Sequence, residues 1–260
     1  MKDWFSLEGK VAVVTGGVGL IGRGIAEGLA NYGAHVFVAD IDVEAASASA
    51  HQLRESGLLA SPIALDVRDV DSITRCVDGA VSSAGAIDVW VNSAYPKIPG
   101  AALGLEHVES AVWREDVDSH LNGYSFCCRE AGKSMRATGG GSIINIGSTY
   151  GIVAPDFSIY DGLDMTTPAA YAAIKGGIIN LTRFLASYYG RDGIRVNCIS
   201  PGGIANNQPP LFVERYKAKT PLGRMGSPRD VAGAAVFLAS DASAYVTGHN
   251  LVVDGGWTAV

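Results

Sequence analysis

The chain lacks the marks of a secreted, membrane or nucleic-acid-binding protein. It has four cysteines in 260 residues: Cys76, Cys127, Cys128 and Cys198. They form no C-x-x-C pair and join no histidine cluster, which argues against a disulfide framework and a zinc site. No apolar run approaches the roughly 18 residues that span a bilayer. The opening residues, Met1-Lys2-Asp3-Trp4-Phe5, lack the apolar segment of a secretory leader. Positive charge is also in deficit, with 20 Lys and Arg against 26 Asp and Glu and a net charge of −6. That balance argues against a nucleic-acid or anionic-membrane surface. Low-complexity stretches are missing too. These absences predict a single cytoplasmic α/β domain over residues 1–260, without a metal and acting on a small molecule.

What is present begins at Val11-Ala12-Val13-Val14, an apolar run with no alternation. It suits a central parallel strand covered on both faces. It enters Thr15-Gly16-Gly17-Val18-Gly19-Leu20-Ile21-Gly22 and then a helical pattern at Ile25, Ala26, Leu29 and Ala30. Without a Cβ at 16, 19 and 22 the backbone can approach a pyrophosphate. The free N–H groups at Leu20, Ile21 and Gly22 would favour its charge. The next strand, His35–Ala39, ends at Asp40, placed to accept hydrogen bonds from an adenosine ribose. A 2′-phosphate would meet that carboxylate, so NAD is expected over NADP. Asp66 follows a third strand near 62–65 and faces the adenine end.

Strands over 87–91, 142–148, 194–199 and 250–253 alternate with helices over 43–56, 69–84, 105–113, 116–136 and 228–240. The pattern predicts a Rossmann-like doubly wound parallel sheet of about seven strands, with helices on both faces. A polar, proline-containing stretch at 203–221 reads as a lid.

Thr167 reads as a helix N-cap with Pro168 at the first helical position. Tyr171 and Lys175 then lie one turn apart on the same helical face. An ammonium fixed there would favour the phenolate and bring the phenol toward neutral pH as a proton donor or acceptor. Ser148, at the end of the fifth strand, could hold a substrate carbonyl oxygen beside it.

In this order the motifs resemble the short-chain dehydrogenase/reductase family over nearly the whole chain. They are the glycine turn at 15–22, Asp66-Val67, Asn92-Ser93-Ala94, Ser148 with Tyr171 and Lys175, and Pro201-Gly202. The resemblance implies hydride exchange between a nicotinamide and a carbonyl/alcohol pair. Tyr171 is then the acid-base, Lys175 binds the nicotinamide ribose, and Val67, Asn92, Ala94, Pro201, Gly202 and Ile204 line the dinucleotide site. It also implies a homo-oligomer, a tetramer or dimer.

Four departures shape the expectation. Leu20 stands where the family's commoner pattern has glycine. Tyr95 replaces the last glycine of its NNAG tetrapeptide. His120 occupies the place of an asparagine that anchors a proton-relay water, or else is structural. A long insert, about 152–168, separates Ser148 from Tyr171 and carries Asp156, Asp161 and Asp164. As a loop over the site its carboxylates would suit hydroxyl or amino groups. The insert, Tyr95 and the run 198–204 resemble the oxidoreductases of bacterial flagellin modification and nonulosonate sugars, which implies a sugar-derived substrate. A 3-oxoacyl-thioester reductase is the second reading, against which Asp40 and the acidic insert speak. A non-catalytic NAD-sensing module is the third, though it would not need Ser148, Tyr171 and Lys175.

Overall fold

Apolar runs without alternation decide the centre of the molecule. The computed structural model describes residues 3–260. Its strands are β1 Val11–Thr15, β2 His35–Asp40, β3 Ala60–Ala64, β4 Val89–Asn92, β5 Gly141–Ile146, β6 Ile194–Pro201 and β7 Asn250–Val253. They form one parallel sheet in the order β3-β2-β1-β4-β5-β6-β7. The helices are α1 Leu20–Asn31, α2 Val43–Glu55, α3 Val70–Ala84, α4 Ser110–Val117, α5 Gly123–Thr138, α6 Ala169–Tyr189, α7 Pro210–Lys219 and α8 Pro228–Ala239. Alternate residues of β1 serve opposite cores. Ala12 and Val14 pack with α1, α2 and α8, and Val11 and Val13 with α3, α5 and α6. Chain order reverses between β1 and β4, and ligands of open α/β sheets bind outside the strand ends at such a point.

A thread of polar side chains crosses this apolar interior. Trp90 Nε1 donates to Asn92 Oδ1 at 2.8 Å, Asn92 Nδ2 to Asn145 Oδ1 at 2.8 Å, and Asn145 Nδ2 to Thr182 Oγ1 at 3.0 Å. All four residues are fully buried. Orphaning one such group costs about 1–3 kcal/mol, so the thread fixes β4, β5 and α6 against one another.

Four local expectations change. The segment expected as helices over 105–113 and 116–136 has a single 3-10 turn at Leu105–His107. It then runs from α4 through a π-turn at Asp118–Asn122 directly into α5. Helix α6 starts at Ala169, and Pro168 takes the N-cap place with ψ 136°. Thr167 caps nothing there. Pro168 is still extended, and its carbonyl accepts from Tyr171 N at 3.2 Å, closing the first turn one residue late. The stretch 203–221 contains α7, begun by consecutive prolines, and the bridge Ile204–Gly226 joins its two flanks. Finally, Ser148 lies two residues past β5, in a turn of its own.

Candidate active site

One cavity of about 830 Å³ runs along the carboxyl ends of the strands. Its first wall is the turn after β1. Gly16 has φ +64°, and a Cβ there would lie 2.6 Å from Ala94 Cα, so only glycine lets the turn press against the chain leaving β4. Thr15 Oγ1 secures the contact by accepting from Ser93 N at 3.0 Å and Ala94 N at 3.1 Å. Gly19 caps α1 without a side-chain bond, and no acidic residue occupies the first turn. The N-terminal N–H groups at Leu20, Ile21 and Gly22 therefore open on the cavity with no capping oxygen, which fits a pyrophosphate.

Asp40 ends β2 in the same wall. Its carboxylate accepts from Val18 N at 3.3 Å and Asp42 N at 3.2 Å. Asp66 is forked onto Arg68 at 2.9 and 2.7 Å, and this ion pair lowers the Asp66 carboxyl below its ordinary range. Arg68 also lines the cavity. Its only sequence signal was its place two residues after Asp66.

Ser148, Tyr171 and Lys175 meet on the other side of the reversal. The turn carrying Ser148 rests on α6, where a Cβ on Gly151 would sit 2.6 Å from the Lys175 carbonyl carbon. That contact sets the spacing between Ser148 and the helix. Lys175 is 4% exposed, and Nζ donates to Ile146 O at 2.8 Å. Nζ also lies 5.4 Å from the Tyr171 ring centre. Burial pushes the Lys175 amine down to about 7, against the pull of Cys198 and Asp116. Burial raises the Tyr171 phenol, while a hydrogen bond from Ser148 acts in the opposite direction. The lowering of the phenol expected from Lys175 is not found: burial dominates, and the opposing influence comes from Ser148.

His120 is fully buried on the π-turn, a helix form frequent at functional sites. Nε2 meets Lys175 Nζ at 3.2 Å. Burial lowers the His120 imidazole well below its ordinary range, and the Lys175 charge lowers it further. A neutral ring accepting at Nε2 carries its proton on Nδ1. Nδ1 and the nearby Asp116 Oδ2 are both buried without a hydrogen-bond partner among the described residues. Tyr95 closes the group edge-on to His120 at 5.0 Å and to Tyr171 at 5.8 Å.

The insert and α7 form one wall. Ile159 is buried with Phe212, Tyr216, Met225 and Trp257, and Tyr160, Leu163 and Met165 pack against them. Arg215 donates to the Asp161 carbonyl, and Lys219 pairs with Asp156. The three aspartates do not line the cavity. The insert presents Tyr160, Met165, Thr166 and Thr167 to it instead. The acidic overhang expected from the sequence is therefore corrected: Ile159, Leu163 and Met165 turn inward, and the carboxylates lie outside the cavity, Asp156 paired with Lys219. Tyr160 and Tyr150 join hydroxyl to hydroxyl at 2.9 Å.

Ser148, Tyr171 and Lys175 line the cavity, as do Gly16, Gly19, Leu20, Ile21, Gly22, Asp40, Asp66, Val67, Ala94, Pro201, Gly202 and Ile204. Two expected residues do not. Asn92 is spent on the polar thread, and His120 sits behind Lys175. Sequence reading missed Arg68, Tyr150, Tyr160 and the α7 aromatics, whose approach depends on long-range packing.

Residues 18–258 match a family model described as enoyl-(acyl carrier protein) reductase. The chain is 37% identical to cis-4-hydroxycyclohexanecarboxylate dehydrogenase of Sinomonas cyclohexanicum, covering 96% of this chain and 97% of the relative. It is 36% identical to D-threitol dehydrogenase of Mycolicibacterium smegmatis, covering 98% and 95%. Post-translational flagellin modification protein A of Campylobacter coli is 33% identical, covering 96% and 99%. Among solved structures, a gluconate 5-dehydrogenase from Burkholderia cenocepacia, in complex with NADP and tartrate, superposes with a TM-score of 0.90. It is 32% identical, with 99% and 98% of the chains covered. The sheet order, the glycine turn and these relatives agree: the chain belongs to the short-chain dehydrogenase/reductase family and is an oxidoreductase of CH–OH groups.

Proposed function

We propose that the protein exchanges hydride between NAD and a secondary alcohol or ketone on a polar, sugar-derived molecule. One observation carries the reading: Ser148, Tyr171 and Lys175 share a cavity that continues to the glycine turn and Asp40. Tyr171 passes a proton to or from the substrate oxygen, and the Ser148 hydroxyl donates to that oxygen. Lys175 holds the nicotinamide ribose and is itself positioned by Ile146 O and His120. When bound, the nicotinamide supplies the hydride acceptor or donor. The α1 N-terminus would receive its pyrophosphate, and Asp66, Val67, Ala94, Pro201, Gly202 and Ile204 would enclose the remainder, with Asn92 bracing the wall from behind.

The choice of NAD rests on Asp40. A 2′-phosphate at the end of β2 would face its carboxylate, and Arg68 is already forked onto Asp66. The Burkholderia relative is in complex with NADP, so the preference is argued from this chain's own residues. A sugar-derived substrate agrees with the polyol and hydroxy-acid names of the relatives, and the Campylobacter coli relative favours the flagellin-modification subgroup. A homo-oligomer, tetramer or dimer, accords with the stacked, exposed Phe184 and Tyr188 on α6, and we place the protein in the cytoplasm.

Titration of NADH and NADPH by nicotinamide fluorescence tests the cofactor reading. NADH should bind at least about tenfold more tightly, and Asp40→Ala should narrow the gap. Equal affinities in the unaltered protein would remove Asp40 from its role.

A further inference from the structure

Five charged residues line the cavity: Asp40, Asp66, Arg68, Lys97 and Lys175. Three of them lie at or just after the ends of β2 and β3, at the adenosine end. Lys175 is buried and turned onto Ile146 O and His120. Lys97 is the remaining one, on the segment that borders the substrate half through Tyr95. It lies in the loop after β4, two residues beyond Tyr95, whose ring meets Tyr171 edge-on. Lys97 is exposed, and no carboxylate pairs with it among the described residues. The rest of that half is neutral. The Tyr150 and Tyr160 hydroxyls, Thr166, Thr167 and Asn206 offer hydrogen bonds, and Phe212 and Met225 offer apolar contact. The insert's carboxylates face away.

We propose that Lys97 anchors a substrate carboxylate, and that the substrate is therefore a hydroxy acid rather than a neutral polyol. This deepens the functional reading above and rests on it. The alcohol carbon sits at Tyr171 and Ser148, and the carboxylate projects toward the mouth of the cavity where Lys97 stands. An amino group on the substrate would be repelled there. A phosphate dianion would find one flexible ammonium and no forked arginine, a poorer match than a carboxylate. The carboxylate takes no part in the chemistry, so Lys97 contributes binding equal in ground and transition states. Such an interaction appears in KM and leaves kcat unmoved.

The full-length protein is tested with NAD and two pairs of alcohols: cis-4-hydroxycyclohexanecarboxylate with its carboxamide, and gluconate with sorbitol. In the unaltered enzyme each acid should exceed its neutral partner at least about tenfold in kcat/KM. Lys97→Met should raise the acid KM about tenfold and leave kcat, the neutral KM values and NADH affinity within about twofold. Lys97→Arg should restore most of the acid preference. A gluconate phosphate ester should gain no more from Lys97 than gluconate does. Thermal shift with cyclohexanecarboxylate, in the presence of NADH, supplies a readout independent of turnover. Tm should rise in the unaltered protein and not in Lys97→Met. The proposal is overturned by an acid-to-neutral ratio unchanged in Lys97→Met, by lost NADH binding at a constant ratio, or by absence of any carboxylate-induced shift. If the shift depends on Lys97 but no alcohol is oxidised, the anchor stands and the functional reading fails.

Discussion

The two halves of the cavity are built from different materials. The adenosine half rests mostly on backbone: a glycine turn, the open N–H groups of α1, and Asp40 held by two main-chain donors, with the Asp66–Arg68 pair beside them. The substrate half is side chain: Tyr150 against Tyr160, with the α7 aromatics behind. Backbone recognition needs glycines at fixed spacing and tolerates little change. Side-chain recognition depends on which segments fold over the site, and can change with them. The first half suits a ligand common to many enzymes, the second a ligand particular to this one.

Substitutions that silence one half and spare the other sharpen this contrast. Tyr171→Phe should have the largest effect. It removes the hydroxyl proposed to carry the proton, and kcat should fall by about 10³-fold, with NADH affinity unchanged within about twofold. Steady-state rates and fluorescence titration check this; residual activity above about a tenth would remove Tyr171 from its role. Tyr160→Phe should act only on the substrate half. Loss of its hydroxyl partnership with Tyr150 should raise substrate KM by about three- to tenfold and leave NADH binding alone. A parallel loss of NADH affinity would mean that the halves are not separable.

Asp156→Asn should have the smallest effect and reports on the wall's attachment. The Lys219 ammonium holds the Asp156 carboxyl at about 2. A carboxylate lowered by folding stabilises the fold above its ordinary value near 4, and that contribution is lost as pH falls toward 2. Asp156→Asn should therefore lower Tm by about 1–2 °C at pH 7 and by nothing measurable near pH 2. Equal shifts at both pH values would mean that the carboxylate's charge contributes nothing.

The same division explains what could be read before folding. Strand β1, the glycine turn and Asp40 were legible because apolar runs and glycine spacing are local signals. The pairing of Tyr171 with Lys175 was legible because helix geometry places i and i+4 together. The direction of the phenol's shift was not, since desolvation depends on what packs around it. Asp156, Asp161 and Asp164 misled because a charge in a loop does not reveal which way the loop faces. Only the burial of Ile159 against Phe212 and Tyr216, some fifty residues away in sequence, turned those carboxylates outward. Asn92 read as a ligand contact, and its use inside the protein required knowing that Asn145 and Thr182 stand beside it.

The buried thread from Trp90 to Thr182 has a consequence for how such an enzyme changes over time. It grips α6 from beneath, through Thr182, on a side that does not line the cavity. Mutations that refashion the insert or α7 can therefore accumulate without loosening the helix that carries Tyr171 and Lys175. Chemistry is inherited through the thread, and substrate preference is free to drift above it.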